Sequence, residues 1–180
     1  MNKQQSCAIT GHNPQRFKFK HNEQALLCRS VKAAITEQIM TLYSKYVRHF
    51  YVGCSAGVDT WAAEIVLELK QQAEYADMGL FCVIPFPEHA DKFTDGQKKR
   101  CQKILEQCTH KETINRHYSP VAYKRLNYFL VDKSDYLIAV YDQDKSERHG
   151  LGQMVNYAVK NNLRITFIDP DTAKVSGNEP

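Results

Sequence analysis

Short apolar runs alternate with helix-length periodic stretches along almost the whole chain, and few folds accept that order. Cys7–Thr10, Phe50–Val52, Leu80–Ile84, Tyr136–Tyr141 and Arg164–Ile168 read as strands, with a weaker one at Glu112–Ile114. Asn22 reads as the N-cap of a helix from Glu23 to Arg48. Further helices are predicted over Asp59–Ala76, Asp95–Gln107 and Gln153–Lys160, and one opened by Ser119 and Pro120 runs to about Lys133. A strand that reaches its neighbour through a helix lies parallel to it, because the helix carries the chain back across the sheet. The prediction is an α/β fold: a single Rossmann-like domain over residues 1–170, a mostly parallel sheet with helices on both faces. Residues 171–180 show no pattern and read as a frayed tail.

Composition matters here mainly for what it excludes. The 180 residues carry a formal charge of +4 and 43% hydrophobic residues, which rules out collagen-like, low-complexity and disordered chains. The length suits one domain with its own core. Cys7, Cys28, Cys82, Cys101 and Cys108 fall within predicted strands and helices, so the cysteines read as buried reduced thiols. There is no CxxC, HxxxH or HExxH, and neither metal nor cofactor is expected. Met1 to Ser6 is polar, and no apolar run nears the ~20 residues of a membrane span. A cytoplasmic protein with no membrane partner is expected.

In a parallel sheet, ligands bind at loops leaving the carboxyl ends of the strands. The most informative such loop runs from Gly53 through Cys54, Ser55, Ala56, Gly57 and Val58 to Asp59. It ends a strand and opens a helix, where unpaired N–H groups and the positive dipole end favour an anion. Gly53 and Gly57 allow close approach of backbone to phosphate, Ser55 offers a hydroxyl, and Asp59 either caps the helix or accepts from a ribose hydroxyl. A plain strand-to-helix turn explains the same residues equally well. Gly53-x-Ser55-x-Gly57 also spells a nucleophile elbow, but its acid and histidine, Asp142 and His149, share a single loop. The first loop supplies Thr10, Gly11, His12 and Arg16, with Arg16 a candidate fork for phosphate. Lys98, Lys99 and Arg100 read as a solvated helix face.

Three motifs together carry a resemblance. They are Thr10-Gly11-His12-Asn13-Pro14; Gly53-x-x-x-Gly57-Val58-Asp59-x-Trp61-Ala62-Ala63-Glu64; and Asn127-x-x-x-Val131-Asp132-x-Ser134-Asp135. In order and spacing they resemble the YpsA-like branch of the SLOG superfamily. The resemblance implies a Rossmann-like fold that binds nucleotide-derived ligands such as ADP-ribose derivatives. It implies ligand contacts at Gly11, His12, Gly53, Ser55, Gly57, Asp59 and Asn127; Thr10 and Ala56 in the same loops, and the phosphate-compatible Gly150 and Gly152 before the last helix, complete the candidate set. A dimer is expected from it too. Related hydrolases of the LOG group carry a catalytic Glu before the penultimate helix; in the best register this chain has Gln153 for their Thr and Asn156 for that Glu. An amide cannot serve as the acid or base.

The first expectation is therefore non-catalytic binding of a nucleotide-derived signal, for sensing or for sequestration as in antiviral conflict. An N-glycosidase with Glu64 or Asp59 replacing the lost Glu is the enzymatic alternative. Arg16, Lys18, Arg116 and Arg148 all fall in strand-end loops, which suits a small anion. The lack of a dense basic stripe argues against nucleic acid, and single-stranded nucleic-acid binding stands last.

Overall fold

The computed structural model describes residues 5–144 and 150–178. Its elements run β1 (Gln5–Gly11), α1 (Leu26–Ser44), β2 (Val47–Val52), α2 (Val58–Leu69), β3 (Gly79–Ile84), α3 (Asp95–Gln107) and β4 (His110–Thr113). They continue with α4 (Ala122–Asp132), β5 (Tyr136–Val140), α5 (Leu151–Lys160), β6 (Arg164–Ile168) and β7 (Val175–Asn178). The sheet order is β4-β3-β2-β1-β5-β6-β7, with β1 to β6 parallel and β7 antiparallel to β6. This is the predicted Rossmann-like α/β arrangement.

Period-two alternation decides which residue meets which helix layer. Along β5, Tyr136, Ile138 and Val140 join the core under α1, α2 and α3, while Leu137 and Ala139 join the core under α4 and α5. Both faces are covered, so β5 is apolar throughout. All six cysteines are free and five are buried.

Strand order reverses at β1: the chain moves outward through β2, β3 and β4, then returns to β5 on the other side. The loops after β1 and β5 therefore diverge to opposite faces and leave a crevice at their carboxyl ends.

Four boundaries differ from the sequence reading, each through a side-chain or backbone turn. Helix α2 stops at Leu69 rather than Ala76, where the Gln72 N–H turns back to the Leu69 carbonyl at 2.9 Å and a separate 3-10 turn follows at Ala73–Tyr75. Asn22 does not cap α1; its side chain accepts from the Gln24 N–H at 3.2 Å, a tight local turn that delays the helix to Leu26. At its other end Tyr46 adopts φ +67° and stops the helix, so Val47 and Arg48 belong to β2. Ser119 and Pro120 form a turn rather than a cap, with the Ala122 N–H donating to the Ser119 carbonyl at 3.0 Å. Residues 171–178 are not a frayed tail. The Asp169 carboxylate accepts the N–H groups of Asp171 and Thr172, at 2.9 and 2.8 Å, and turns the chain so that Val175 pairs with Ile168.

Candidate functional site

The Gly53–Asp59 loop is a strand-to-helix connection whose residues are tied to one another. Asp59, in the first turn of α2, folds back and accepts the Ser55 N–H at 3.1 Å. A Cβ on residue 53 would lie 2.8 Å from the Asp59 carboxylate, so only glycine admits this fold-back. Ser55 accepts the Thr60 hydroxyl through its carbonyl at 2.8 Å, and Gln97 of α3 donates to the same hydroxyl at 2.8 Å. Asp59 is only 9% exposed. Burial pushes its carboxyl up to about 7, against the pull of its Ser55 hydrogen bonds. Asp59 thus organises the loop from inside, and Ser55 is engaged with it.

Gly57 forms the N-cap of α2 at φ +87°, ψ −127°, the mirror image of extended backbone, which only glycine enters readily. Among the described residues no side-chain cap hydrogen bond is made at this N-cap, since Gly57 has no side chain. The first-turn N–H groups, which a helix cannot satisfy itself, face the loop end with the positive dipole. Gly150 repeats this device at the N-cap of α5, at φ +60°, ψ −120°. Gly152 lies buried in the first turn of α5.

Gly11 closes β1 where α2 crosses it: a Cβ there would meet Val58 at 2.6 Å. Thr10, 8% exposed, pairs with Ala139 in the sheet. The His12 N–H donates to the Val140 carbonyl at 3.3 Å and its Nε2 lies 3.6 Å from Asp142. Arg16 is where the structure departs furthest from the expectation. Its Nε donates to Asp142 at 3.0 Å and its Nη2 to Asp171 at 3.1 Å, so the fork predicted for phosphate holds two carboxylates. Lys18 adds a 3.6 Å contact to Asp171. Burial opposes ionisation of Asp142, but the Arg16 hydrogen bonds hold it below its usual value; Asp171 is lowered by Arg16 directly. The cluster bridges the crevice between β1 and β5.

Arg16→Gln is expected to cost about 1 kcal/mol at low ionic strength, and less in about 1 M salt, where the partly exposed pairs are screened. Urea midpoints in the two buffers measure this. Because both carboxylates are lowered, the contribution is fully present above pH 3.8 and is lost as acid protonates them. A midpoint that does not respond to the substitution in either buffer would remove Arg16 as a clamp.

The first and second loops are pressed together. A Cβ at residue 57 would meet Pro14 Cδ at 2.9 Å and the His12 carbonyl oxygen at 3.1 Å. Beside this contact opens a cleft of about 450 Å³, lined by Pro14, Ala56 and Gly57 and walled by Lys92, Phe93, Thr94, Gln97 and Arg100. The third wall comes from the β3–α3 connection, a strand-end loop in which the sequence singles out no ligand residue. Its one local signal was Thr94, which caps α3 by accepting the Gln97 N–H at 3.3 Å. Arg100 is not on a solvated face. It grips Glu64 through Nε and Nη2, at 2.8 and 2.7 Å, and Glu23 through Nη1 at 2.6 Å. Burial would raise Glu23, but Arg100 and Lys32 overcome it and hold that carboxyl at about 2.

The remaining candidates are scattered around this edge. Asn127 is half-buried in α4, one residue after Leu126, whose Cδ2 would lie 3.3 Å from a Cβ at Gly53. Asn156, at the position of the LOG-type Glu, is exposed on α5. The left-handed residue of the supposed nucleophile elbow is Cys54, at φ +61°, rather than Ser55. Arg148 and His149 lie outside the described residues.

A family model, that of the YspA SLOG family (YpsA), matches residues 7–173. The chain belongs to the YpsA SLOG family. UPF0398 protein YpsA of Bacillus subtilis (strain 168) is 30% identical over 177 residues, covering 96% of each chain. A UPF0398 protein of Bacillus cereus (strain B4264) is 32% identical over 141 residues, 77% of this chain and 74% of that one. Among solved structures, DNA processing protein A from Helicobacter pylori, described for its single-stranded DNA binding mode, superimposes with a TM-score of 0.57 at 14% identity. The likeness covers 93% of this YpsA-family chain and 66% of that protein. At that identity it speaks for the fold. It also overturns the expectation against nucleic acid as a partner, since the same fold occurs in a protein described as binding single-stranded DNA. Among the described residues no helix is long and apolar enough to cross a membrane.

Proposed function

We propose that this YpsA-family protein holds a nucleotide-derived small ligand, such as an ADP-ribose derivative or a cyclic nucleotide, with a phosphate at the start of α2 in the Pro14–Gly57–Phe93 cleft. The observation that carries this reading is Gly57. It leaves the first turn of a 12-residue helix without a side-chain cap, beside a cleft of small-ligand size. Binding proceeds without cleavage. Of the carboxylates that would replace the missing Glu, Asp59 is buried against Ser55 and Glu64 is gripped by Arg100. Signal sensing and sequestration both follow from such a site, and a homodimer is part of the proposal.

Calorimetric titration with AMP, ADP-ribose and 3′,5′-cyclic AMP is expected to reveal a binder that chromatography recovers intact. Ala56→Glu puts a carboxylate on the half-buried cleft wall next to Gly57 and is expected to weaken that binder by at least about tenfold through repulsion of phosphate. No heat with any ligand, or equal affinity in the variant, defeats the reading. Released free base would establish the glycosidase instead.

A second reading places single-stranded nucleic acid on the same sheet edge, favoured by the fold shared with a protein described for single-stranded DNA binding. It predicts retention of single-stranded DNA that falls steeply with salt.

A further inference from the structure

Residues 115–128 join β4 to the middle of α4 and hold Arg116, Lys124 and Arg125, interleaved with Tyr118, Tyr123 and Tyr128, with no Asp or Glu. Single apolar side chains on a surface need no explanation, but two of these rings are not scattered. Tyr118 and Tyr123 are 66% and 45% exposed, and both stand edge-on to the same buried ring, Phe86. The centroids lie 5.4 and 5.8 Å from it, at 79° and 84°. Their support is rigid: Arg125 donates to Asn115 at 3.0 Å, and Asn115 donates to the Pro85 carbonyl at 2.8 Å, locking this loop to the end of β3. Tyr128 is spent on a stack with Tyr157 at 3.8 Å. From Phe86 a packed row continues through His89, 6.5 Å away, to Phe93, which lines the cleft.

We propose that Tyr118 and Tyr123, braced on Phe86 beside Arg116 and Lys124, form a stacking platform for unpaired bases of a single-stranded nucleic acid. This rests on the second reading above and names the surface it uses. An open platform of exposed rings does not enclose a small ligand, which needs a concave site burying most of its area. A strand gains instead from several weak stacks together with cation contacts to its phosphates. Every base has a π-face, so recognition here is tolerant of sequence.

The test is fluorescence anisotropy of the full chain with a labelled oligothymidylate of roughly 20 nucleotides. The double variant Tyr118→Ala/Tyr123→Ala is expected to bind at least about tenfold more weakly than the parent, and Tyr118→Phe/Tyr123→Phe to stay within about threefold, because phenylalanine keeps the stacking face. Circular dichroism melts report folding. If the double variant does not fold, Tyr118→Ala alone, at the more exposed ring, is expected to lose about fivefold. Binding by a folded alanine variant equal to the parent's overturns the platform while leaving the second reading intact. No binding of oligothymidylate by the parent overturns both. Calorimetry with AMP supplies the third arm: an equal loss of AMP and oligonucleotide binding assigns the rings to the small-ligand site and also overturns the proposal.

Discussion

Gly57→Ala is expected to destabilise the protein by about 3 kcal/mol, combining strain at a backbone conformation closed to L side chains with overlap against Pro14. At this chain length that lowers the thermal midpoint by roughly 6–12 °C. The two contributions are separable, because Gly150 has similar dihedral angles and opens α5 in the same way, yet among the described residues nothing lies within 4 Å of an added Cβ. Gly150→Ala should therefore cost only the backbone strain, about 1–2 kcal/mol. Differential scanning calorimetry of both variants decides it. Equal midpoints would mean that the contact between the first and second loops contributes nothing, and the cleft wall built on that contact would lose its support.

The second large effect is a dependence on pH. An Asp in the unfolded chain titrates near 3.8, whereas burial raises Asp59 to about 7 in the fold. Between those values the folded state holds a proton that the unfolded state has released. Raising the pH through this window therefore favours unfolding. By pH 7 the loss approaches about 4 kcal/mol, an upper bound because water and the helix N-terminus also stabilise the carboxylate. Asp59→Asn keeps an oxygen to accept the Ser55 N–H and removes the titration. Relative to the parent, the variant should be neutral or weaker at about pH 4 and more stable by a few kcal/mol at about pH 8. The difference between the two proteins is the quantity to follow in urea melts. Half-buried His49 and buried His89, both lowered by desolvation, oppose the trend in the parent and cancel in the comparison. A difference that does not change with pH would place the Asp59 carboxyl in water.

Much of this architecture was legible because its signals are local. Helix α3 reads as a charged helix from Asp95 to Gln107, and those are the ends found; the structure adds that Thr94 caps it. β5 was legible because both its faces are buried. The Gly53–Asp59 turn announced itself through two glycines at a strand-to-helix junction. β7 was not legible, since a four-residue edge strand has no periodicity to read and the turn before it is built by one side chain, Asp169. The start of α1 was misread for a related reason: Asn22 is chemically fit both to cap a helix and to close a tighter turn, and nothing local chooses between them.

The site divides along the same line. The sequence by itself determined the doubly covered parallel sheet, the family, and the strand-end loops from which the proposed site is drawn. Periodicity, caps and glycines act within a few residues of one another, so all of these are written locally. Only the tertiary structure decided what the charged groups at those loops do. Arg16 reaches carboxylates 126 and 155 residues away, and Arg100 joins Glu23 to Glu64 across 77 and 36 residues. A guanidinium meets a phosphate or a carboxylate with the same fork, so its partner is settled by which acid the fold brings within about 3 Å.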